Sequence, residues 1–255
     1  MLILLSCAKT MSPVGKLQLP FHSTPRFSRQ ASEIALYMSG FSVEELERLL
    51  RVNSKIAVEN FRRYQAFHGE ETVPGPAVFS YTGIVFKRLA PRDFTAEQLS
   101  YMQDHLRITS FCYGLLRPMD LIRLYRLEGD VRLPELGEQT LFSYWKERLT
   151  DVFIEDIRKA GGILCNLASE EMKGLFDWQR VEKEVKVVTP EFRVRKNGKL
   201  TTVVIYTKMN RGEMARYILK NRIEDPKQLC TYSWEGFEYQ QGLSGEKTLV
   251  FTHGC

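Results

Sequence analysis

The spacing of apolar and polar residues changes several times along this chain, and each change marks an element. Leu2-Ile3-Leu4-Leu5 is an unbroken apolar run, too short for a helix and suited to a strand covered on both faces. Residues 12–27 contain prolines, carry no periodicity, and read as a loop. Three helices follow. The first opens at Ser28 as N-cap, carries Ile34, Leu36 and Met38 on its apolar surface, and stops at Gly40. The second opens with Ser42-Val-Glu-Glu, a capping box in which Ser42 and Glu45 satisfy each other's backbone N–H groups, followed by Leu46, Leu49 and Leu50. Ser54 then caps a third helix carrying Ile56, Ala57, Phe61 and Tyr64.

Beyond these helices the pattern alternates between strand and helix. Residues 77–81, AVFSY, read as a buried strand, and PRDFTAEQLSYMQDHL reads as a helix capped near Thr95. RITSFCYGLL is β-rich and predicts one central strand ending at Arg117-Pro118. Over residues 139–160, Leu141, Trp145, Leu149, Phe153 and Ile157 recur every four positions, and Gly161-Gly162 ends that helix. ILCNLA follows as a buried strand. Residues 184–207 form a hairpin about Asn197-Gly198, Arg211–Arg222 a basic helix, and residues near 236–240 and 247–252 two short strands. With no repeat, low-complexity tract or clear linker, the pattern predicts an α+β fold. It is a single mixed-sheet domain spanning residues 1–255, with a helical insertion at about 28–68.

Composition confirms a folded chain: 44% of its 255 residues are apolar and 26% charged. The net charge of +5 says little, but its placement says more. Residues 1–32 hold Lys9, Lys16, Arg26 and Arg29 with no acid, residues 105–126 hold four Arg against Asp120, and residues 192–222 hold nine basic residues against Glu213. Residues 128–160 are acidic by comparison, so a polarised surface with one basic region is expected. Cys7, Cys112, Cys165, Cys230 and Cys255 lie far apart, with no CxxC pair, as in the reducing cytoplasm. Together with four scattered His they offer no metal constellation, and no cofactor is expected. MLILL lacks a positive region before it and ends after five residues, and no stretch is long enough to span a bilayer. A soluble, cytoplasmic protein without a membrane partner is therefore expected.

The charged segments offer several sites, each with two readings. Val52-Asn53-Ser54-Lys55-Ile56-Ala57 fits the loop of a helix-hairpin-helix element, placed within about 42–67. There the N–H groups of the second helix would meet a DNA phosphate and Lys55 would add a charge. Asn53 would stand where glycine is usual, accepting the left-handed conformation, and Ser54 would cap; the other reading is a plain bend between packed helices. Lys9 follows the first strand directly, at a sheet edge where ligands bind, or it is simply solvated. Arg107, Arg117, Arg123 and Arg126 interleave with Phe111, Tyr113 and Tyr125. They either grip phosphate and stack on bases or form core and ion pairs with Asp120 and Glu128. Lys208, Arg211 and Arg216 sit on the basic helix with Lys220 and Arg222. Catalytic motifs are missing, although Asp120, Glu128, Asn166, Ser169 and Glu170 lie near strand ends and could build a polar pocket, and His105 is a lone acid or base.

Four stretches, MLILLSCAKT, HLRITSFCYGLLRPMDLIRLYRLEG, NLASEE and ARYILKNRI, together resemble the YaaA family of peroxide stress resistance proteins, in its order and near its spacing from Met1 to about Phe251. The resemblance implies an α+β fold with a helix-hairpin-helix element and a basic cleft. It also implies binding of double-stranded and branched DNA, and protection from hydrogen peroxide linked to lowered free iron. It puts Lys9 on the lysine of the family's N-terminal motif, Arg107, Arg117 and Arg126 in its central Arg-rich segment, and Arg211 and Arg216 in its late basic helix. Cys7 stands where the family has proline.

Two functions are thus open. One is a DNA-binding protein of the peroxide stress response, contacting phosphates through Lys9, Asn53, Ser54, Lys55, Arg107, Arg117, Arg126, Lys208, Arg211 and Arg216. The other is an enzyme acting on a nucleotide or other anionic small molecule, with Lys9, Arg126, Asn166 and Glu170 around it. One basic groove joining residues 9, 55, 117 and 211 would favour the first; a small closed pocket of both charge signs would favour the second.

Overall fold

Strand β1 (Leu2–Leu5) is buried at every position because the fold is built outward from it on both sides. The computed structural model describes residues 1–15, 17–134 and 137–254, so Lys16 and Cys255 lie outside the described residues. After β1 come the helices α1 (Ser28–Ser39), α2 (Val43–Leu50) and α3 (Ser54–Gln65), the short strand β2 (Gly75–Pro76), and helices α4 (Ala77–Ser80), α5 (Ile84–Leu89) and α6 (Ala96–His105). The middle of the chain gives β3 (Leu106–Ser110), β4 (Gly114–Leu116), β5 (Leu121–Ile122), the long α7 (Leu141–Lys159) and β6 (Ile163–Asn166). The remainder is α8 (Trp178–Glu184), β7 (Lys186–Lys196), β8 (Lys199–Thr201), α9 (Val204–Asn221), β9 (Ser233–Trp234), β10 (Phe237–Tyr239) and β11 (Thr248–His253).

The large mixed sheet runs in the order β4-β3-β1-β6-β7-β11-β10-β9, with β8 paired to β7. β1 lies parallel to both neighbours, Leu5 opposite Ile108 on one side and Leu4 opposite Asn166 on the other. β6, β7 and β11 continue in parallel, while β4, β8, β9 and β10 pair antiparallel at the margins. Parallel strands need crossovers, and the helices supplying them cover the sheet, which is why LILL and ILCN are nearly all apolar.

Several expectations hold in detail. Ser42 and Glu45 form their capping box, Thr95 forms another with Gln98, and Asn197 and Gly198 both take positive φ at the β7–β8 turn. Others are corrected. Residues 77–80 form one helical turn rather than a strand, because a short apolar run cannot distinguish the two and Pro76 leads into a turn closed by Tyr81 N–H on the Ala77 carbonyl. The central strand of 107–116 is two: the chain reverses at residues 111–113, Gly114 takes φ +71°, and β4 forms the sheet edge. Residues 184–207 are not all hairpin, since α9 already begins at Val204. In α1 the buried set is Ala31, Ile34, Ala35 and Met38, a 3–4 spacing, which leaves Leu36 60% exposed; Phe27, not Ser28, is its N-cap.

The α2–α3 connection also differs from expectation. Arg51, not Asn53, takes the left-handed conformation, at φ 51°. Asn53 is extended and is itself the N-cap of α3, its Oδ1 accepting the Ile56 N–H at 3.0 Å. Ser54 is already helical, and its hydroxyl donates to Glu47 Oε2 at 2.7 Å, tying the two helices together. These helices are anchored to the rest of the fold where Tyr64 donates to the Arg126 carbonyl at 2.6 Å. Among the described residues, no helix is long and apolar enough to cross a membrane.

Candidate functional site

In an open parallel sheet, loops leaving neighbouring strands in opposite directions open a crevice at the carboxyl ends of those strands. β1 is flanked by β3 and β6, both parallel to it, so the segments after all three emerge at one edge. There they enclose a cavity of about 320 Å³. Ser6 to Thr10 follow β1, Phe111 follows β3, and Leu167, Ser169, Glu171 and Met172 follow β6. Tyr125 to Glu128 close one side; Gly83 to Phe86 of the α5 entrance and Lys208 and Arg211 of α9 close another. Lys208 and Arg211 are three residues apart on a helix, hence on one face.

The loops are tied to one another. Ser169 N–H donates to Ser6 Oγ at 2.8 Å, and Cys7 N–H donates to Thr109 Oγ1 at 3.3 Å. α5 and α9 touch closely because α9 has Gly212 at the crossing, where a Cβ would stand 2.2 Å from the Val85 carbonyl oxygen. Tyr125, in the wall, shares its hydroxyl with Tyr81 at 2.7 Å and Ser110 at 2.6 Å. Burial pushes the pKa of Tyr125 and Tyr81 upward, so this hydroxyl chain stays neutral. Burial, and secondarily the fields of Glu171 and Glu128, push the Cys7 thiol up to about 12. Cys7 is thus a small neutral group beside the charges.

The charges decide the chemistry. Lys9, Arg126, Lys208 and Arg211 face the same cavity as Glu128 and Glu171. Glu128 is 12% exposed and engages both Lys9, at 2.7 Å, and Arg126, at 3.6 Å. Among the described residues, Lys208 and Arg211 form no ion pair within 4.0 Å. The Nε atoms of Arg126 and Arg211 are both buried without a hydrogen-bond partner. Burial draws the Arg211 pKa down, partly countered by Glu170. A buried guanidinium N–H without an acceptor is costly, and the Lys208 and Arg211 charges on the lining favour an anion in the cavity.

The other sequence candidates lie elsewhere. Arg107 is buried and donates to Asp156 Oδ2 at 2.6 Å and to the Gln103 and Leu106 carbonyls. Arg117 holds the buried Asp120 at 3.0 Å, and Arg216 holds Asp93 at 2.9 Å. Asn53, Ser54 and Lys55 are exposed at the start of α3, where Ser54 and Lys55 border a separate shallow groove with Arg62 and Arg63. Asn166 is buried and caps its own loop by accepting the Ala168 N–H at 3.1 Å, while Glu170 is 84% exposed and pairs with Lys173. Residues 9 and 211 are therefore brought together, and residues 55 and 117 do not line this cavity. Sequence reasoning did not single out Glu171, although it ends the NLASEE stretch, nor the α5 entrance, where a Cβ on Gly83 would meet that of Ala8 at 2.7 Å.

Comparison with known proteins extends over the same chain. A family model described as peroxide stress protein YaaA matches residues 1–243. A UPF0246 protein of Bacteroides thetaiotaomicron is 70% identical over 254 residues, covering 100% of this chain and 99% of its own. One of Phocaeicola vulgatus is 58% identical over 252 residues, covering 99% of each chain. One of Crocosphaera subtropica is 34% identical over 256 residues, covering 98% and 99%.

Proposed function

The chain belongs to the peroxide stress protein YaaA family, and from that premise we propose that its cavity at the ends of β1, β3 and β6 binds and acts on an anionic small molecule of the nucleotide class. The observation that carries this reading is the gathering of Lys9, Arg126, Lys208 and Arg211 on one cavity lining against Glu128 and Glu171, with Lys208 and Arg211 forming no ion pair among the described residues. A cavity of about 320 Å³ suits a small ligand rather than a polymer segment. Phe111, Phe86 and Leu167 supply apolar wall for a ring, and Lys208 and Arg211, beside the Glu128-paired Lys9 and Arg126, supply donors for its anionic end. The test is calorimetric titration of the whole protein with ribonucleotides: saturable binding that Lys208→Ala weakens supports it, and no heat with any nucleotide overturns it.

A second reading, binding of duplex and branched DNA, is favoured by the exposed start of α3. Lys55 has no ion pair there among the described residues, and Asn53 holds the first turn in place. It is consistent with membership of a stress-response family, and it calls for affinity that falls steeply with salt and little with sequence.

A further inference from the structure

We propose that the group selected by this cavity is a phosphate monoester dianion, on a free nucleotide or at a nucleic-acid strand end, in preference to carboxylates and internal phosphodiesters. This rests on the anion-binding reading above and narrows it.

The argument begins with charge. The cavity has four cationic side chains and two carboxylates on its lining, an excess of two positive charges. A carboxylate or phosphodiester carries one negative charge and leaves one cation uncompensated in a partly buried site. A phosphate monoester carries close to two above its second pKa, ~6, and neutralises the site. Uncompensated charge is disfavoured most at the partly buried guanidinium groups of Arg126 and Arg211, while Lys9, Lys208 and Glu171 stay exposed.

Glu128 sharpens this choice. It is a resident carboxylate that already holds Lys9 at 2.7 Å and Arg126 at 3.6 Å. A ligand carboxylate competing for those cations replaces one single charge by another and gains little. A dianion brings an additional charge and three unesterified oxygens. Its second charge can balance Lys208 and Arg211, which form no ion pair among the described residues, without requiring Glu128 to leave. Arg and Lys donors converging from two separate segments, 125–128 and α9, also suit a tetrahedral group better than a planar one.

Shape points the same way. The tied loops after β1 and β6, joined by Ser6 against Ser169, form one wall of the cavity. A terminal phosphate enters with its ester on the open side. A mid-chain phosphate would have to fit a second substituent within the same cavity of about 320 Å³.

The whole protein should be titrated with the common ribonucleoside 5′-monophosphates and with their methyl esters, which differ by one charge and one methyl group. The monophosphate should bind at least ~10-fold tighter, and Lys208→Ala, an exposed position, should shrink that ratio. Equal affinity for ester and monophosphate overturns the dianion proposal while leaving an anion site in place. Binding of neither overturns both. Duplexes ending in a phosphate, compared with the same duplexes ending in a hydroxyl, separate the sources. Tighter binding of the phosphorylated ends assigns strand ends, and equal binding assigns free nucleotides.

Discussion

Lys9 and Glu128, 119 residues apart in the chain, meet at 2.7 Å across the mouth of the cavity. Lys9 leaves the end of the central strand, and Glu128 comes from the segment that returns past the edge of the sheet. The pair therefore joins the two sides of the site, and its carboxylate occupies part of the positive field that a ligand would enter.

Removing that carboxylate should strengthen anion binding. Glu128→Gln keeps the side-chain volume and frees Lys9 and Arg126. Anionic ligands should then bind several-fold tighter, on the order of 1 kcal/mol for a partly exposed pair. Lys9→Ala should act in the opposite direction by a similar amount. Both are read by titration calorimetry of the folded variants. If Glu128→Gln weakens binding as much as Lys9→Ala does, Glu128 serves to hold the lysine in place rather than to compete.

The Arg107–Asp156 pair is predicted to support the fold and not the ligand. Asp156 is 4% exposed and receives Arg107 at 2.6 Å and Arg26 at 3.1 Å. Asp156→Asn leaves Arg107 buried with its charge uncompensated and should cost about 3–5 kcal/mol in a denaturant titration. Ligand affinity of the remaining folded protein should be unchanged. A variant of normal stability with lost binding would place Arg107 in the site after all.

How much of this was visible in the sequence depends on the range over which each signal acts. Ser42-Val-Glu-Glu and Asn197-Gly198 are local chemistry, and both were legible because a cap or a tight turn depends on adjacent residues. Lys9 stood out because a polar residue directly after a buried strand must lie at the sheet edge. The four arginines of residues 105–126 were not separable by sequence: Arg107 and Arg126 share a composition, yet one meets Asp156, 49 residues on, and the other meets the cavity. Glu170 and Glu171 are both exposed and differ by one position on a short turn, and only the turn's direction brings Glu171 to the cavity lining. The same local limit explains Asn53, expected in the left-handed position with Ser54 as cap: both residue types can cap, and the left-handed turn falls at Arg51 two positions earlier, which makes Asn53 the cap.

Gly212 sets the distance between α5 and α9, two walls of the site. Alanine would gain helix propensity by ~1 kcal/mol over glycine. Its Cβ, however, would stand 2.2 Å from the Val85 carbonyl oxygen and 2.7 Å from the Arg88 Cβ, and backbone cannot rotate aside. Gly212→Ala should therefore destabilise by a net ~1–2 kcal/mol in urea and loosen ligand binding as α5 moves outward. A more stable variant would show that α5 shifts freely.

Cys7 gives a prediction in pH. Its folded-state pKa is raised from 9.0 to about 12, as is that of Cys165. The unfolded chain releases these thiol protons first, so stability is fully present below about pH 9 and is lost as pH rises toward 12. The urea midpoint should fall over that range, and less so in Cys7→Ser. Near neutral pH, Cys7 in the native protein should react with iodoacetamide at least ~100-fold more slowly than a free thiol, because the thiolate is the nucleophile. Fast, selective labelling of Cys7 would contradict a neutral thiol in the cavity.

Lys55 tests whether the α2–α3 hairpin meets DNA. It stands exposed in the first turn of α3, beside the Asn53 cap, so reversing its charge alters the field at that helix end without touching a packed group. Lys55→Glu should leave thermal stability and nucleotide binding in the separate cavity unchanged, since Lys55 is not among its lining residues. If the hairpin holds a phosphate, duplex and junction affinity should fall about tenfold or more and the salt slope should drop by ~1. Lys208→Ala supplies the converse, weakening the nucleotide first. Should both variants weaken both ligands equally, the groove along α3 and the cavity would act as one continuous site; should Lys55→Glu alter neither, the hairpin is a packed bend with Asn53 as its cap.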